Sequence, residues 1–175
     1  MIRGELFSQD MVKAFLENRK SRTSRPIKGI PAEYSELLGD IIYARETWCD
    51  IWSSENGKFL RYGYKADGID NESMLPDGAF WGKMQPCWPE TYYQHYIWHP
   101  SIHMPREAAR LFFRVTDVKV QNIKDVTEQD AVEDGFIHLL NFRTFWREQY
   151  GTDMPWMWVY CLKPITKEEA LRDER

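Results

Sequence analysis

Cysteine is scarce and scattered. The 175 residues hold three, Cys49, Cys87 and Cys161. An odd number of distant cysteines without a CxxC pair excludes a disulfide framework and predicts a reducing compartment. Long apolar runs are also missing. No stretch of about 18 apolar residues occurs, which argues against a membrane-spanning helix. Met1-Ile2-Arg3-Gly4-Glu5 carries no apolar run behind its positive charge, so no signal peptide is expected and the predicted location is cytoplasmic. Positive charge is not in excess either. The formal net charge is −4, so no global field gathers nucleic acid and any such affinity must be local. Internal repeats and low-complexity segments are absent.

Aromatic residues are plentiful at 15% of the chain, with eight tryptophans. They suit a large core or stacking surfaces for bases. The length fits one compact domain with a real core. Ser8-Gln9-Asp10 ahead of Met11, Val12, Phe15 and Leu16 predicts a capped helix ending near Lys20, with Pro26 disfavouring continuation. Ile41–Trp48 reads as a strand and Tyr62–Lys65 as a short one. From Ala66 to Pro105, proline, glycine and aromatics follow no period, which predicts long loops of functional or partner-binding character. Arg106–Arg110 follows Pro105 as one helical turn, and Leu111–Val120 is the clearest strand. Thr127 caps and Gly135 stops a short helix. Phe136–Tyr150 predicts a longer one with Leu139, Phe142, Phe145 and Trp146 inward. Met157–Leu162 is the closing strand. This order predicts an α+β fold on a small mixed sheet or barrel. It gives one domain over 1–165 with an irregular insert at about 52–98 and a charged flexible tail at 166–175.

The densest cationic stretch of this acidic chain is Glu17-Asn18-Arg19-Lys20-Ser21-Arg22-Thr23-Ser24-Arg25. Cations at a helix C-terminus suit the helix dipole, but that accounts for one or two of them. A partly desolvated lysine can lose its proton and act as a base. A hydroxyl within its reach can become a nucleophile, so Lys20 and Thr23 are candidates for chemistry. Arg22 and Arg25 can hold phosphate or carboxylate in a bidentate fork. Arg45 and Glu46 are adjacent on a strand end, so one of them faces inward or into a cleft; a structural ion pair is the competing account. His95, His99 and His103 recur every fourth residue near Cys87, but Pro100 interrupts them and no HExxH is present, so no metal is expected. Cys49 and Cys161 lie in apolar strands and read as buried thiols. Glu133 and Asp134 stand where a helix dipole disfavours carboxylates, which hints at pairing with Lys20 or a proton-transfer role.

Several segments together resemble one family. "ENRKSRTSRPIK" resembles the lysine-x-x-threonine-x-arginine segment after the first helix of ASCH domains, and "LGDIIYARETW" resembles their Gly-Asp-hydrophobic strand. "HPSIHMPREAARLFFRVTDVKVQNIKDVTEQDAVEDGF" and "PWMWVYCL" resemble the phage and prophage branch. The resemblance runs from about Phe7 to Leu162 and implies a PUA-like fold: a small mixed barrel flanked by helices, with a cleft suited to RNA or a modified base. One bacterial branch hydrolyses the acetyl amide of N4-acetylcytidine with a lysine, a threonine and a glutamate. On that alignment the lysine falls on Lys20, the threonine on Thr23 and the following arginine on Arg25. The glutamate falls on Asp134, one methylene shorter. A reacting group displaced by about 1 Å can cost around a hundredfold, and the adjacent Glu133 points elsewhere on a helix.

Three functions are therefore in view. The first is amidohydrolysis of an N4-acylated cytidine by Lys20, Thr23 and Asp134 or Glu133, with no cofactor. The second is a non-catalytic reader of RNA or a modified base. Its ligand contacts would come from Arg22, Arg25, Arg45, Glu46, His103 and Arg106, with Trp48 stacking. The third is a phage accessory protein that binds a host protein through the aromatic insert.

Overall fold

Branched and aromatic residues dominate Phe112–Asn122 and Trp156–Ile165, and these segments form the two longest strands of the computed structural model. The structure describes residues 1–27, 38–53, 59–68, 79–81, 98–152 and 155–173. The chain divides into two units, one of Met1–Glu5, Asp10–Ala44 and Arg110–Arg175, the other of Leu6–Gln9 and Arg45–Ala109. Its strands are β1 (Ile2–Leu6), β2 (Arg22–Pro26), β3 (Ile41–Arg45), β4 (Trp48–Ser53), β5 (Phe59–Tyr64), β6 (Ala79–Trp81), β7 (Phe112–Asn122) and β8 (Trp156–Ile165). Its helices are α1 (Gln9–Leu16), α2 (Glu128–Glu133), α3 (Leu139–Tyr150) and α4 (Lys167–Arg172). The fold is α+β.

The first unit is built on a five-stranded sheet in the order β1-β3-β7-β8-β2. The β3–β7, β7–β8 and β8–β2 pairs are antiparallel. Phe15 of α1 lies on Phe113 of β7, ring centroids 4.3 Å apart, so α1 covers one sheet face. α2 and α3 cover the other: Ala131, Phe142 and Trp146 pack with Met157 and Val159 of β8 in a buried cluster. The alternation of β2 follows from this. Arg22 and Ser24 share the α2 side, while Thr23 and Arg25 share the α1 side, with Thr23 directly paired to Tyr160.

The sheet is not closed into a barrel, contrary to one of the two expected forms. β1 and β2 remain its edges. It is nevertheless strongly curled. Five strands laid flat at ~4.8 Å spacing would hold the edges about 19 Å apart. Yet Glu5 of β1 and Arg25 of β2 approach to 3.7 Å across the α1-covered face. That distance requires the two edges to bend toward each other.

Several elements differ from the sequence reading. α1 stops at Leu16 rather than near Lys20, because Asn18 turns left-handed at φ 56°. The bonds Asn18 N–H to Phe15 and Arg19 N–H to Ala14 complete a Schellman stop there. The residues that follow the predicted helix end form strand β2. Its local preference is weak, and the ladder to β8 decides it. The expected strand over 41–48 divides into β3 and β4. The α2 cap and stop fall on Thr127, with a reciprocal Asp130 capping box, and Gly135. α3 begins three residues late, where Glu128 accepts the Leu139 N–H at 3.1 Å. Phe142 and Trp146 face inward, but Phe145 is 36% exposed, off their line around the helix. The expected flexible tail holds α4, capped by Thr166 and Glu169, with Ala170 buried and Arg114 bonded to Asp173.

The second unit carries a three-stranded antiparallel sheet ordered β5-β4-β6. Trp48 exchanges two backbone hydrogen bonds with His99. Single 3-10 turns span Ser101–His103 and Arg106–Ala108, the second in place of the expected helical turn. Most of the insert expected at 52–98, with His95 and Cys87, lies outside the described residues. Among the described residues no helix is long and apolar enough to cross a membrane.

Candidate active site

Two helices end at the same place. α1 stops at Asn18, and α2 stops at Gly135 with φ 95°. At the second stop Gly135 N–H bonds Val132 and Phe136 N–H bonds Ala131, again a Schellman turn. A Cβ on Gly135 would meet Met11 Sδ at 3.0 Å, Lys20 Cδ at 3.1 Å and Ala14 Cβ at 3.2 Å. The glycine therefore permits both the left-handed turn and the close approach of the lysine stem.

Residues 19–21 stitch the two helix ends together. The Lys20 backbone N–H reaches the Ala14 carbonyl of α1 at 3.1 Å. Ser21 N–H donates to Glu133 O at 2.8 Å, and an Arg19 guanidinium N–H reaches Gly135 O at 3.4 Å. The Lys20 ammonium donates to Asp134 Oδ1 at 2.6 Å and also to the Asp134 carbonyl. Orphan carbonyls and negative dipole ends from both helices thus gather cations. These partners account for the cations at positions 19 and 20.

The pair is buried: Lys20 is 5% exposed and Asp134 3%. The Phe15 ring lies 5.4 Å from the ammonium. Burial, the largest influence, pushes the Lys20 ammonium below its ordinary value; Asp134 opposes this by charge and hydrogen bond, while Arg25 and Arg22 add to it by repulsion. Asp134 Oδ2 is buried with no hydrogen-bond partner among the described residues. A lysine whose ammonium gives up its proton more readily than usual, beside a carboxylate with one unsatisfied oxygen, is equipped to accept and return a proton.

Thr23 is buried on β2, and its Oγ1 accepts a hydrogen bond from Arg25 Nη1 at 3.0 Å. A cationic donor on a hydroxyl oxygen favours the alkoxide over the alcohol. Arg25 thereby links the threonine to the charge surroundings of Lys20.

Arg22, expected among the ligand contacts, is instead buried on the other face. It bonds Asp130 of α2 and, at 2.8 Å, Gln121 Oε1 of β7. Burial raises the Asp130 carboxyl, but Thr127, Gln121 and Arg22 together outweigh it and hold the group below its ordinary value. Arg22 therefore clamps the start of α2 to the sheet. Glu133 accepts from Gln129 at 2.8 Å and offers this site only its backbone carbonyl.

The remaining candidates belong to the second unit. Arg45 donates to the Ser101 carbonyl at 3.2 Å and to the Ile102 carbonyl. Glu46 is buried, so it is the inward member of that pair. Trp48 is also buried, with its ring 4.5 Å from His99 and edge-on to Tyr62 at 5.6 Å, and so presents no open stacking face. His103 is exposed, and Arg106 is half-buried at the head of its turn. Cys49 is buried, and burial followed by the charge of Asp50 pushes its thiol up to about 12; Cys161 is half-buried and also raised by burial. Neither is a reactive thiolate. Among the described residues no three metal-ligating side chains converge.

The sequence reading missed Arg3, Glu5 and Tyr160, which stand beside Thr23 and Arg25. Arg3 and Glu5 are two residues apart, the spacing that puts side chains on one strand face. That signal needed β1 to be recognised as a strand.

Comparison with protein-family models, with curated proteins and with solved structures finds no match.

Proposed function

We propose that this chain is an ASCH-type, PUA-like protein directed at nucleotides, and that its first unit hydrolyses the amide of an N4-acylated cytidine. The observation that carries the reading is the buried Lys20–Asp134 pair, with Arg25, whose charge acts on the ammonium, also holding the Thr23 hydroxyl. Lys20, its ammonium made readier to give up a proton by burial, serves as the base that takes the Thr23 proton as Oγ1 attacks the acyl carbonyl carbon. The carbon–N4 bond then breaks, and the nitrogen leaves as an amine with the proton returned by Lys20. Water hydrolyses the resulting acyl-threonine ester, freeing the acid and restoring the hydroxyl. Asp134 holds the ammonium in place through Oδ1.

A second reading, a reader that binds without cutting, is favoured by two observations. Lys20 has a structural task at the two helix ends, and Thr23 is only 2% exposed, whereas a nucleophile must be reached. Incubation with N4-acetylcytidine and a panel of other N4-acylated cytidines, with free cytidine followed by chromatography, separates the two. Release from any of them supports the hydrolase. Binding of these nucleosides without release supports the reader.

A further inference from the structure

The curled sheet leaves a seam where its two edges face each other, and the side chains in that seam are charged. Glu5 of β1 lies between two guanidinium groups. Arg3 Nε is 3.6 Å from Glu5 Oε1, and Arg25 Nε is 3.7 Å from Glu5 Oε2. Charge-assisted N–H to carboxylate bonds ordinarily lie at about 2.7–2.9 Å, so Glu5 is held between the arginines at more than bonding distance. Arg3 Nε is buried and has no hydrogen-bond partner among the described residues. An unsatisfied buried donor on a cation costs free energy unless an acceptor arrives.

The floor of the seam is Tyr160, whose ring lies 5.7 Å from the Arg3 guanidinium carbon. Burial raises the Tyr160 hydroxyl above its ordinary value, opposed by Arg3. The hydroxyl therefore stays protonated near neutral pH and can donate. Arg25 bonds Thr23 as well, so the seam adjoins the proposed nucleophile.

We propose that this seam is an oxyanion site for a ligand phosphate, held by Arg3 and Arg25 over Tyr160, and that Glu5 occupies it as a built-in carboxylate which the phosphate displaces. The substrate or ligand is then a nucleotide rather than a free nucleoside. The choice of nucleotide rests on the proposed function above, whereas the anion site rests on the seam alone. The phosphate can be a terminal monoester or a diester within RNA.

Calorimetric titration of the full chain with cytidine, cytidine 5′-monophosphate and the dinucleotide cytidylyl-cytidine tests it. At least one phosphate ligand binds more tightly than cytidine, and the better of the two names the source. Arg3→Met and Arg25→Met each weaken that ligand by about tenfold or more. Glu5→Gln tightens it, a gain that misfolding cannot imitate. Phosphate ligands binding no more tightly than cytidine, or a Glu5→Gln protein no tighter than wild type, overturns the proposal. Cleavage of N4-acetylcytidine is scored separately. Phosphate binding without cleavage retains the seam and removes the hydrolase; cleavage without phosphate preference does the reverse.

Discussion

At the scale of single residues, the chain places one lysine under competing demands. Lys20 gives its backbone N–H to α1 and its ammonium to the end of α2, and it is buried while doing so. Removing one member of a buried pair leaves the other uncompensated, which typically costs about 3–5 kcal/mol, while replacing both is far milder. Asp134→Asn is expected to destabilise the protein on that scale in urea unfolding. Adding Lys20→Met to it is expected to recover part of the loss. If the double variant is less stable than Asp134→Asn, the pair is not the isolated buried unit described here.

The protonation of Lys20 carries a sign that can be checked. Its folded-state value is lowered by burial. Below that lowered value both folded and unfolded chains hold the proton. Between it and the unfolded value of about 10.4 only the unfolded chain does. Stability from this group therefore rises as pH rises through that window. Unfolding midpoints measured from neutral to alkaline pH are expected to show this rise in wild type and to lose it in Lys20→Met. The same slope in both proteins would mean that Lys20 is not the group responsible.

At the scale of elements, the site exists because two short helices stop on left-handed residues and face each other. Asn18 tolerates that conformation, and Gly135 both adopts it and leaves room for the Lys20 stem. Gly135→Ala combines a strained φ with contacts of 3.0–3.2 Å to Met11, Ala14 and Lys20. A loss of about 1 kcal/mol or more is expected in chemical denaturation. A neutral or stabilising result would show that the turn relaxes freely. α2 was legible in advance because its signals are local: a threonine cap, an acidic third position and a terminal glycine. β2 was not, because Arg22, Thr23, Ser24 and Arg25 carry no strand pattern of their own and become a strand only by pairing with β8. Lys20 and Thr23, put forward together as base and nucleophile, are connected through Arg25, and Arg22 goes to Asp130.

At the scale of the whole molecule, the α+β class followed from element order, and Lys20, Thr23, Arg25 and Asp134 were singled out from the basic cluster and the end of α2, whereas Arg3, Glu5 and Tyr160 were not. The open but curled sheet did not follow, since closure depends on how far edge strands bend toward each other, which no local pattern encodes. The side chains that report the bend, Glu5 and Arg25, are 20 residues apart in sequence and on opposite edges of the sheet. The ligand contacts sought at Arg45, Glu46, Trp48, His103 and Arg106 belong to the second unit, where Arg45 and Trp48 serve its internal structure.

In the proposed mechanism Lys20 moves protons for an amide-cleaving threonine. Release of cytidine from N4-acetylcytidine by wild type and by Lys20→Ala, with circular dichroism confirming that both are folded, tests it most directly. Release by wild type and its loss in the folded variant are expected. No release by folded wild type, or equal release by both, would contradict it.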